Sequence, residues 1–390
     1  SDNLISWYEN NGSQTFTAHT IATDADEAWD VYAADVDKDG DIDVLSASSK
    51  DGTIAWYENN GSQNFTKYVI TDKLSNNSNG MSVYTVDMDG DGDIDVVSAS
   101  AGANGLGGVN WYENNGSQSF TAKVIEGTEA SRDAFPFDID KDGDIDVVAG
   151  DYSQSVYWYE NNGSESFTRH EITTKMSDLY KASNNTTSVY AIDIDGDGDI
   201  DIIGASKDDD KVSWYENDGS QSFTPHTITT SADGANAIYA LDLDSDGDID
   251  VLSASDDPGS GVEWYENNGS EYFTVRTIAN NQSYILRNGS NYTIFGNSDV
   301  FAIDLDKDGY IDVLSDGLAG GNSGTNIDVV WYENGTDITA PTVTSVSSTA
   351  DNGTYGIGSV IPITVTFDES VIVTGTPQLT LETGDTDVVV

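Results

Sequence analysis

The chain has 390 residues, long enough to bury a substantial core and too long for a single small domain. Lys and Arg number 15 against 69 Asp and Glu, a formal net charge of −54 that repels nucleic-acid phosphates and anionic lipid and so excludes both as partners. Cysteine is absent, which removes disulfides and thiolate metal sites, and no apolar run approaches the roughly 20 residues that span a bilayer as a helix.

Such acidity suits a disordered tail, a heavily solvated surface or a chain that binds cations, and an aromatic content of 10% argues against disorder. The tetrapeptide Trp-Tyr-Glu-Asn recurs seven times, at Trp7, Trp56, Trp111, Trp158, Trp214, Trp264 and Trp331, so the repeat length runs from 47 to 67 residues. That period fits one propeller blade. In chain order, residues 4–21 read as two strands, and the first full period then offers strands over 31–35, 42–48, 54–59 and 65–70, alternating or running apolar at strand length. Four more periods repeat this series, and residues 300–334 supply three further strands. Asn-Gly after most tetrapeptides marks the tip of a hairpin, because its backbone needs positive φ angles that Asn and Gly accept cheaply. Four short strands per period with no helical pattern predict an all-β propeller of four-stranded antiparallel blades, whose radial repetition leaves only short sheet edges. Seven tetrapeptides favour seven blades, the first lacking two strands, with six as the alternative. Trp and Tyr of the tetrapeptide point to opposite faces of their strand, so each blade can bury an aromatic against each neighbour. The absence of an initiator Met and the stop inside a strand at residues 388–390 read as cut ends.

The motif that carries chemistry lies between the first and second strands of a period: Asp-x-Asp-x-Asp-Gly-x-Ile-Asp, six times. With the seventh position included, the candidate metal residues are Asp35, Asp37, Asp39, Asp41 and Asp43; Asp87, Asp89, Asp91, Asp93 and Asp95; and Asp138, Asp140, Asp142, Asp144 and Asp146. The later loops hold Asp193, Asp195, Asp197, Asp199 and Asp201; Asp242, Asp244, Asp246, Asp248 and Asp250; and Asp304, Asp306, Asp308, Tyr310 and Asp312. Calcium takes six to eight oxygens, and alternating carboxylates on a tight loop converge on one ion. Position seven is expected to offer its backbone carbonyl, which explains how Tyr310 can stand there. A strand follows instead of a helix, and Ser46 occupies the twelfth position where an EF-hand needs Glu, so the loop is not an EF-hand. The expected cofactor is calcium, about six ions, in preference to magnesium with its stricter octahedron.

The Asp loop, the Ile-Asp-Val-Leu-Ser-Ala-Ser strand at 42–48, the Trp-Tyr-Glu-Asn strand and the strand beginning Phe-Thr together resemble the FG-GAP/VCBS repeats of bacterial secreted proteins, akin to the integrin α-subunit propeller. The resemblance covers residues 1–334 and implies a propeller, usually seven-bladed, with calcium in the loops between first and second strands. From residue 339 the composition shifts, and the segment to 390 resembles the start of a bacterial immunoglobulin-like β-sandwich. The expected domains are therefore 1–335, a calcium-binding propeller, and 336–390, a partial immunoglobulin-like domain.

No nucleophile elbow, phosphate loop or zinc-type His cluster is present, and His19, His170 and His226 share one strand-four position, the mark of a scaffold residue. The expectation is a non-catalytic adhesion or assembly module, extracellular and secreted or on the cell surface. Its partner is a protein or glycan at a cell surface or matrix, and the incomplete terminal domain offers a route to self-association. The alternative is a lectin-like carbohydrate-binding module accessory to a secreted polysaccharide-degrading enzyme. Ligand residues are expected where repeats differ, above all in the insertion 280–299, which carries Tyr284, Arg287, Tyr292 and Phe295.

Overall fold

The architecture is that of a computed structural model and is described for residues 3–11, 15–74, 81–100, 107–127, 130–151, 155–173, 186–255, 261–270, 272–280, 284–285, 291–292, 294–295, 299–319, 327–334, 343–348, 362–367, 380–381 and 388–389. Two units result, residues 1–335 and 336–390.

Unit one opens with a hairpin, β1 (Ile5–Asn10) and β2 (Phe16–Ala22). The first full blade is β3 (Ala28–Ala34), β4 (Asp43–Ser48), β5 (Thr53–Asn59) and β6 (Phe65–Thr71), each antiparallel to the next. The second is β7 (Met81–Val86), β8 (Asp95–Ser100), β9 (Gly108–Asn114) and β10 (Phe120–Glu126). The third is β11 (Ser131–Phe137), β12 (Asp146–Asp151), β13 (Val156–Asn161) and β14 (Phe167–Thr173). The fourth is β15 (Thr186–Ile192), β16 (Asp201–Ser206), β17 (Lys211–Asn217) and β18 (Phe223–Thr229), and the fifth β19 (Ala235–Leu241), β20 (Asp250–Ser255), β21 (Gly261–Asn267) and β22 (Phe273–Asn280). After the short strands β23 (Tyr284–Ile285), β24 (Asn291–Tyr292) and β25 (Ile294–Phe295), the sixth blade is β26 (Val300–Ile303), β27 (Asp312–Ala319) and β28 (Ile327–Tyr332), with β25 paired to the far end of β27. The chain thus forms a six-bladed propeller of four-stranded antiparallel blades, the sixth three strands wide among the described residues, and β1–β2 stands as an additional hairpin.

The second strand of a blade shows why the sequence chooses this layout. All six residues of β8, β12, β16 and β20 are buried, because both faces of the strand meet a neighbouring blade. The fourth strand has no buried residue in these blades and mixes exposed with half-buried positions, as an outer edge should. The aromatics divide as their alternation requires. Trp56 packs forward with Val83, Val96 and Tyr112 of the second blade, whereas Tyr57 packs backward with Ile5 and Ala22 of the opening hairpin. Trp56, Trp111 and Trp214 are each 1% exposed, so these three are packing residues and cannot serve as sugar-stacking platforms. Asn60 at the hairpin tip accepts hydrogen bonds from the amides of Ser62 (3.0 Å) and Asn64 (3.4 Å), and Asp218 makes the same turn, which accounts for the recurrent Asn-Gly-Ser without glycosylation.

The innermost strands meet around the axis. Their aromatics form a chain of edge or tilted contacts from Tyr32 through Tyr84, Phe135, Tyr190 and Tyr239 to Phe301, with ring centroids 4.7 to 5.5 Å apart. Two residues earlier in four of these strands, a polar side chain laces one blade to the next. Asp30 accepts the Val83 amide (2.8 Å), Ser82 the Ala134 amide (3.1 Å), Asp133 the Val189 amide (3.0 Å) and Ser188 the Ile238 amide (3.4 Å). Burial raises the carboxyls of Asp30 and Asp133, and for Asp30 the Asp299 carboxylate adds to the shift.

In unit two, β29 (Val343–Ser348) pairs with β30 (Ile363–Phe367), and β31 (Thr380–Leu381) with β32 (Val388–Val389).

Candidate metal centre

Each acidic loop leaves an inner strand and enters a second strand, so topology places all six on one face of the propeller. The loop is wound by its own carboxylates. In the first, Asp35 Oδ2 accepts the Gly40 amide (3.0 Å), Asp37 Oδ1 the Asp39 amide (3.2 Å) and Asp39 Oδ1 the Asp41 amide (2.9 Å). The second loop repeats this through Asp87, Asp89 and Asp91, and the fourth through Asp193, Asp195 and Asp197. The glycine at position six has φ between 95° and 100° in all six loops, a conformation that an L side chain rarely adopts.

The winding draws the first, third and fifth aspartates together. Carboxylate oxygens of Asp35, Asp37 and Asp39 lie within 4.8 Å of one another, as do those of Asp87, Asp89 and Asp91 and of Asp193, Asp195 and Asp197. In the third loop the group is Asp138, Asp140 and the ninth-position Asp146. The donors are carboxylate oxygens, the set a hard divalent cation takes. Asp35 Oδ1, Asp87 Oδ1 and Asp138 Oδ1 are buried with no hydrogen-bond partner, an arrangement that costs free energy unless a cation faces them. Burial raises the carboxyls of Asp37, Asp89, Asp140, Asp195 and Asp244, and neighbouring carboxylates add to each. The residues present therefore fit a bound divalent ion, with positions one and three, joined by five or, in the third loop, nine, as the side-chain donors.

Two positions behave differently from the rest of the expected set. The seventh-position side chains Asp41, Asp93, Asp144, Asp199 and Asp248 turn toward the hairpin glycines Gly61, Gly116, Gly163, Gly219 and Gly269, where a Cβ would collide with the carboxylate. That leaves the position-seven backbone carbonyl for the loop, and Tyr310 there is half-exposed. The ninth-position aspartates Asp43, Asp95, Asp146, Asp201, Asp250 and Asp312 are 0% exposed and are committed to the backbone. Asp95 Oδ2 accepts the Met88 amide (3.2 Å) and Trp111 Nε1 (2.9 Å), and its Oδ1 accepts the Asn114 amide (2.7 Å). The other five accept the matching amide pair. Burial pushes Asp95, Asp146 and Asp250 up to about 6 and Asp201 up to about 7. The motif spacing signals a fourth ligand here; the side chain also ties the loop to the Trp-Tyr-Glu-Asn strand, and in the third loop Asp146 stands in the carboxylate cluster as well.

Six repeats of one family model, the FG-GAP-like repeat, match residues 1–46, 35–98, 87–149, 138–204, 193–253 and 242–315. The chain belongs to the FG-GAP-like repeat family. No curated protein matches it. Among solved structures, this FG-GAP-like chain is similar in fold to a protein from Lactobacillus plantarum, with a TM-score of 0.52 at 14% identity, covering 71% of this chain and 79% of that one. Two others are a Bacillus licheniformis rhamnogalacturonan lyase (TM-score 0.42, 14% identity, 75% and 56% covered) and the exotype rhamnogalacturonan lyase YesX (TM-score 0.40, 16% identity, 76% and 54% covered). The chain spans just over half the length of those two lyases.

Of the expected ligand residues, Tyr284 and Tyr292 stand opposite one another in the β23–β24 ladder, and Phe295 pairs with Leu318 of β27. Arg287 lies outside the described residues. Each histidine stacks on the tryptophan across the strand pair and reaches the following glutamate: His19 on Trp7 with Glu9 (3.0 Å), His170 on Trp158 with Glu160 (2.6 Å), His226 on Trp214 with Glu216 (2.7 Å). No helix among the described residues is long and apolar enough to cross a membrane.

Proposed function

We propose that this FG-GAP-like propeller is a calcium-stabilised, non-catalytic adhesion or assembly module that works outside the cell, with about one ion in each acidic loop. The reading rests above all on the buried, unpartnered first-position oxygens of Asp35, Asp87 and Asp138. Positions one, three and five would hold the ion, with the position-seven carbonyl beside them. The ion supplies positive charge where loop carboxylates crowd, and so locks each inner strand to the second strand of its blade. Hairpin β1–β2 is, on this reading, the outer half of a seventh blade, and residues 336–390 begin an immunoglobulin-like domain. Isothermal titration of the chelated protein with calcium should saturate near one ion per loop, with magnesium much weaker. A titration without calcium heat overturns the proposal. Deleting the module should reduce attachment or matrix formation by the producing cell, and an unaltered phenotype removes the adhesive role.

A glycan-binding reading has one observation in its favour. At the start of the inner strands, on the face opposite the acidic loops, Trp29 is 48% exposed and the Arg132 guanidinium lies 5.9 Å from its ring centroid. Arg132 donates across the axis to Asn236 Oδ1 (3.0 Å). An aromatic face, a guanidinium and an amide together suit a carboxylate-bearing sugar. A glycan array probed in calcium buffer tests this, and a blank array eliminates it.

A further inference from the structure

Asparagine followed by glycine is open to attack on its side-chain amide by the next backbone nitrogen, because glycine brings no Cβ to obstruct the approach. The pairs Asn60-Gly61, Asn115-Gly116, Asn162-Gly163 and Asn268-Gly269 stand at hairpin tips among the described residues, and all four asparagines are exposed to water. Sequence does not separate them, since each continues with serine. Their hydrogen bonds do.

The glycine amide, the attacking nitrogen, is engaged at two of these tips. Gly163 and Gly269 donate to Asn161 Oδ1 and Asn267 Oδ1, each at 3.2 Å. In the first and second blades the matching oxygens, Asn59 Oδ1 and Asn114 Oδ1, are buried without a hydrogen-bond partner, so the amides of Gly61 and Gly116 lack this acceptor. The side-chain oxygen, which takes up negative charge during attack, differs in the same sense. Asn60 Oδ1 accepts the amides of Ser62 (3.0 Å) and Asn64 (3.4 Å), and Asn115 Oδ1 those of Ser117 (3.0 Å) and Ser119 (3.3 Å). Among the described residues, Asn162 Oδ1 accepts the Ser164 amide alone and Asn268 Oδ1 the Ser270 amide alone, both at 3.0 Å. Paired amide donors on a carbonyl oxygen polarise the amide carbon and stabilise the oxyanion that attack creates.

We propose that Asn60 and Asn115 are sites of spontaneous deamidation by water, and that Asn162 and Asn268 are shielded from it. The glycine nitrogen bonds to the asparagine Cγ, and its proton leaves with the side-chain nitrogen as ammonia, closing a succinimide ring. Water then adds to either ring carbonyl and breaks the bond to the shared nitrogen, which gives aspartate or isoaspartate. The balance is water in and ammonia out, with no oxidant or reductant. The aspartate product fits the turn: the fourth blade carries Asp218 at this position, and its Oδ1 accepts the amides of Ser220 (2.9 Å) and Ser222 (3.2 Å) as Asn60 and Asn115 accept theirs. The isoaspartate product lengthens the backbone by a carbon and shifts a tip whose glycine lies against the Asp41 or Asp93 carboxylate. Each event also adds a negative charge beside the seventh position of an acidic loop. The first and second blades thus age in charge and backbone, while the third and fifth keep their original tips.

The test incubates the full chain in mildly alkaline calcium buffer and follows each tip by peptide mass mapping, with an isoaspartyl methyltransferase to label isoaspartate. Asn60 and Asn115 should each gain about 1 Da at roughly ten times the rate of Asn162 and Asn268. In concentrated urea, where the turns are lost, the rates should converge. Asn161→Ala, which removes the oxygen that holds the Gly163 amide, should bring Asn162 up to the rate of Asn60. Equal rates at all the tips of the folded chain overturn the proposal, as does a ranking that persists unchanged in urea. A folded Asn161→Ala chain in which Asn162 stays slow overturns the part given to the glycine amide, and if that variant does not fold, the comparison of the native tips decides.

Discussion

Two carboxylates and one glycine show how single residues set the balance in this propeller. Asp133 is 5% exposed and laces the third blade to the fourth, a task that serine performs at 82 and 188 without charge. Because burial raises its carboxyl above the unfolded value of about 3.9, its contribution is most favourable below that value and is lost as pH rises through the folded one. Asp133→Ser should therefore raise Tm at pH 7, by about 2–4 °C, with the advantage shrinking as pH falls toward 4. Calorimetry at both pH values in saturating calcium checks it, and a lower Tm at pH 7 contradicts it. Gly61 has φ 74° with the Asp41 carboxylate over it. Gly61→Ala should cost about 1–2 kcal/mol from backbone strain, plus a steric part that Asp41→Ala relieves in the double variant. Strict additivity of the two changes would show that the contact carries no energy.

The element on which site and fold meet is the loop between first and second strands, and its aspartates divide into two kinds. Asp95→Asn keeps one oxygen for the Met88 and Asn114 amides and Trp111 Nε1, so a buried donor loses its acceptor at a cost of about 1–3 kcal/mol. That loss should appear in chelator as well as in calcium. Asp87→Asn with Asp89→Asn should instead remove one calcium from the titration and leave the melting of the chelated protein unchanged or slightly higher, since like charges are relieved. Melting curves in both buffers separate the two kinds, and identical behaviour of the variants refutes the division. The strands, the loops and the opposed packing of Trp and Tyr were legible in the sequence because the repeat restates each of them and the strand period of two is strict. The backbone ties made by position nine were hidden, since only the register of β8 against β9 brings Asn114 to it. The lacing residues were obscured because the position five places before each loop holds Asp or Ser but also, at Ala237, a residue that cannot lace, and so reads as ordinary alternation. The five-residue extent of the hairpin loops followed from pairing Asn59 with Phe65.

At the scale of the whole molecule, the chain carries a net charge of −54, most of it on a ring whose blades meet through apolar faces. Two mechanisms could keep such a ring together, general screening by salt or specific neutralisation in the loops, and they make different demands. Screening at about 1 M salt shortens the Debye length to about 3 Å and weakens repulsion between loops, but it supplies no oxygen-bridging charge inside one. A bound ion does both, contributing about 2.7 kcal/mol per site at a hundredfold excess over its Kd. Chelation should therefore lower Tm by more than about 10 °C, and about 1 M sodium chloride should recover only a minor part of the loss. Calcium at millimolar concentration should recover all of it, and magnesium little. Full recovery by sodium chloride would assign the acidity to the surface at large, and an unchanged Tm in chelator would remove the cation from the fold altogether. Partial recovery by salt together with complete recovery by calcium locates the stabilising charge inside the six loops, where the oxygens of Asp35, Asp87 and Asp138 lie buried without a hydrogen-bond partner.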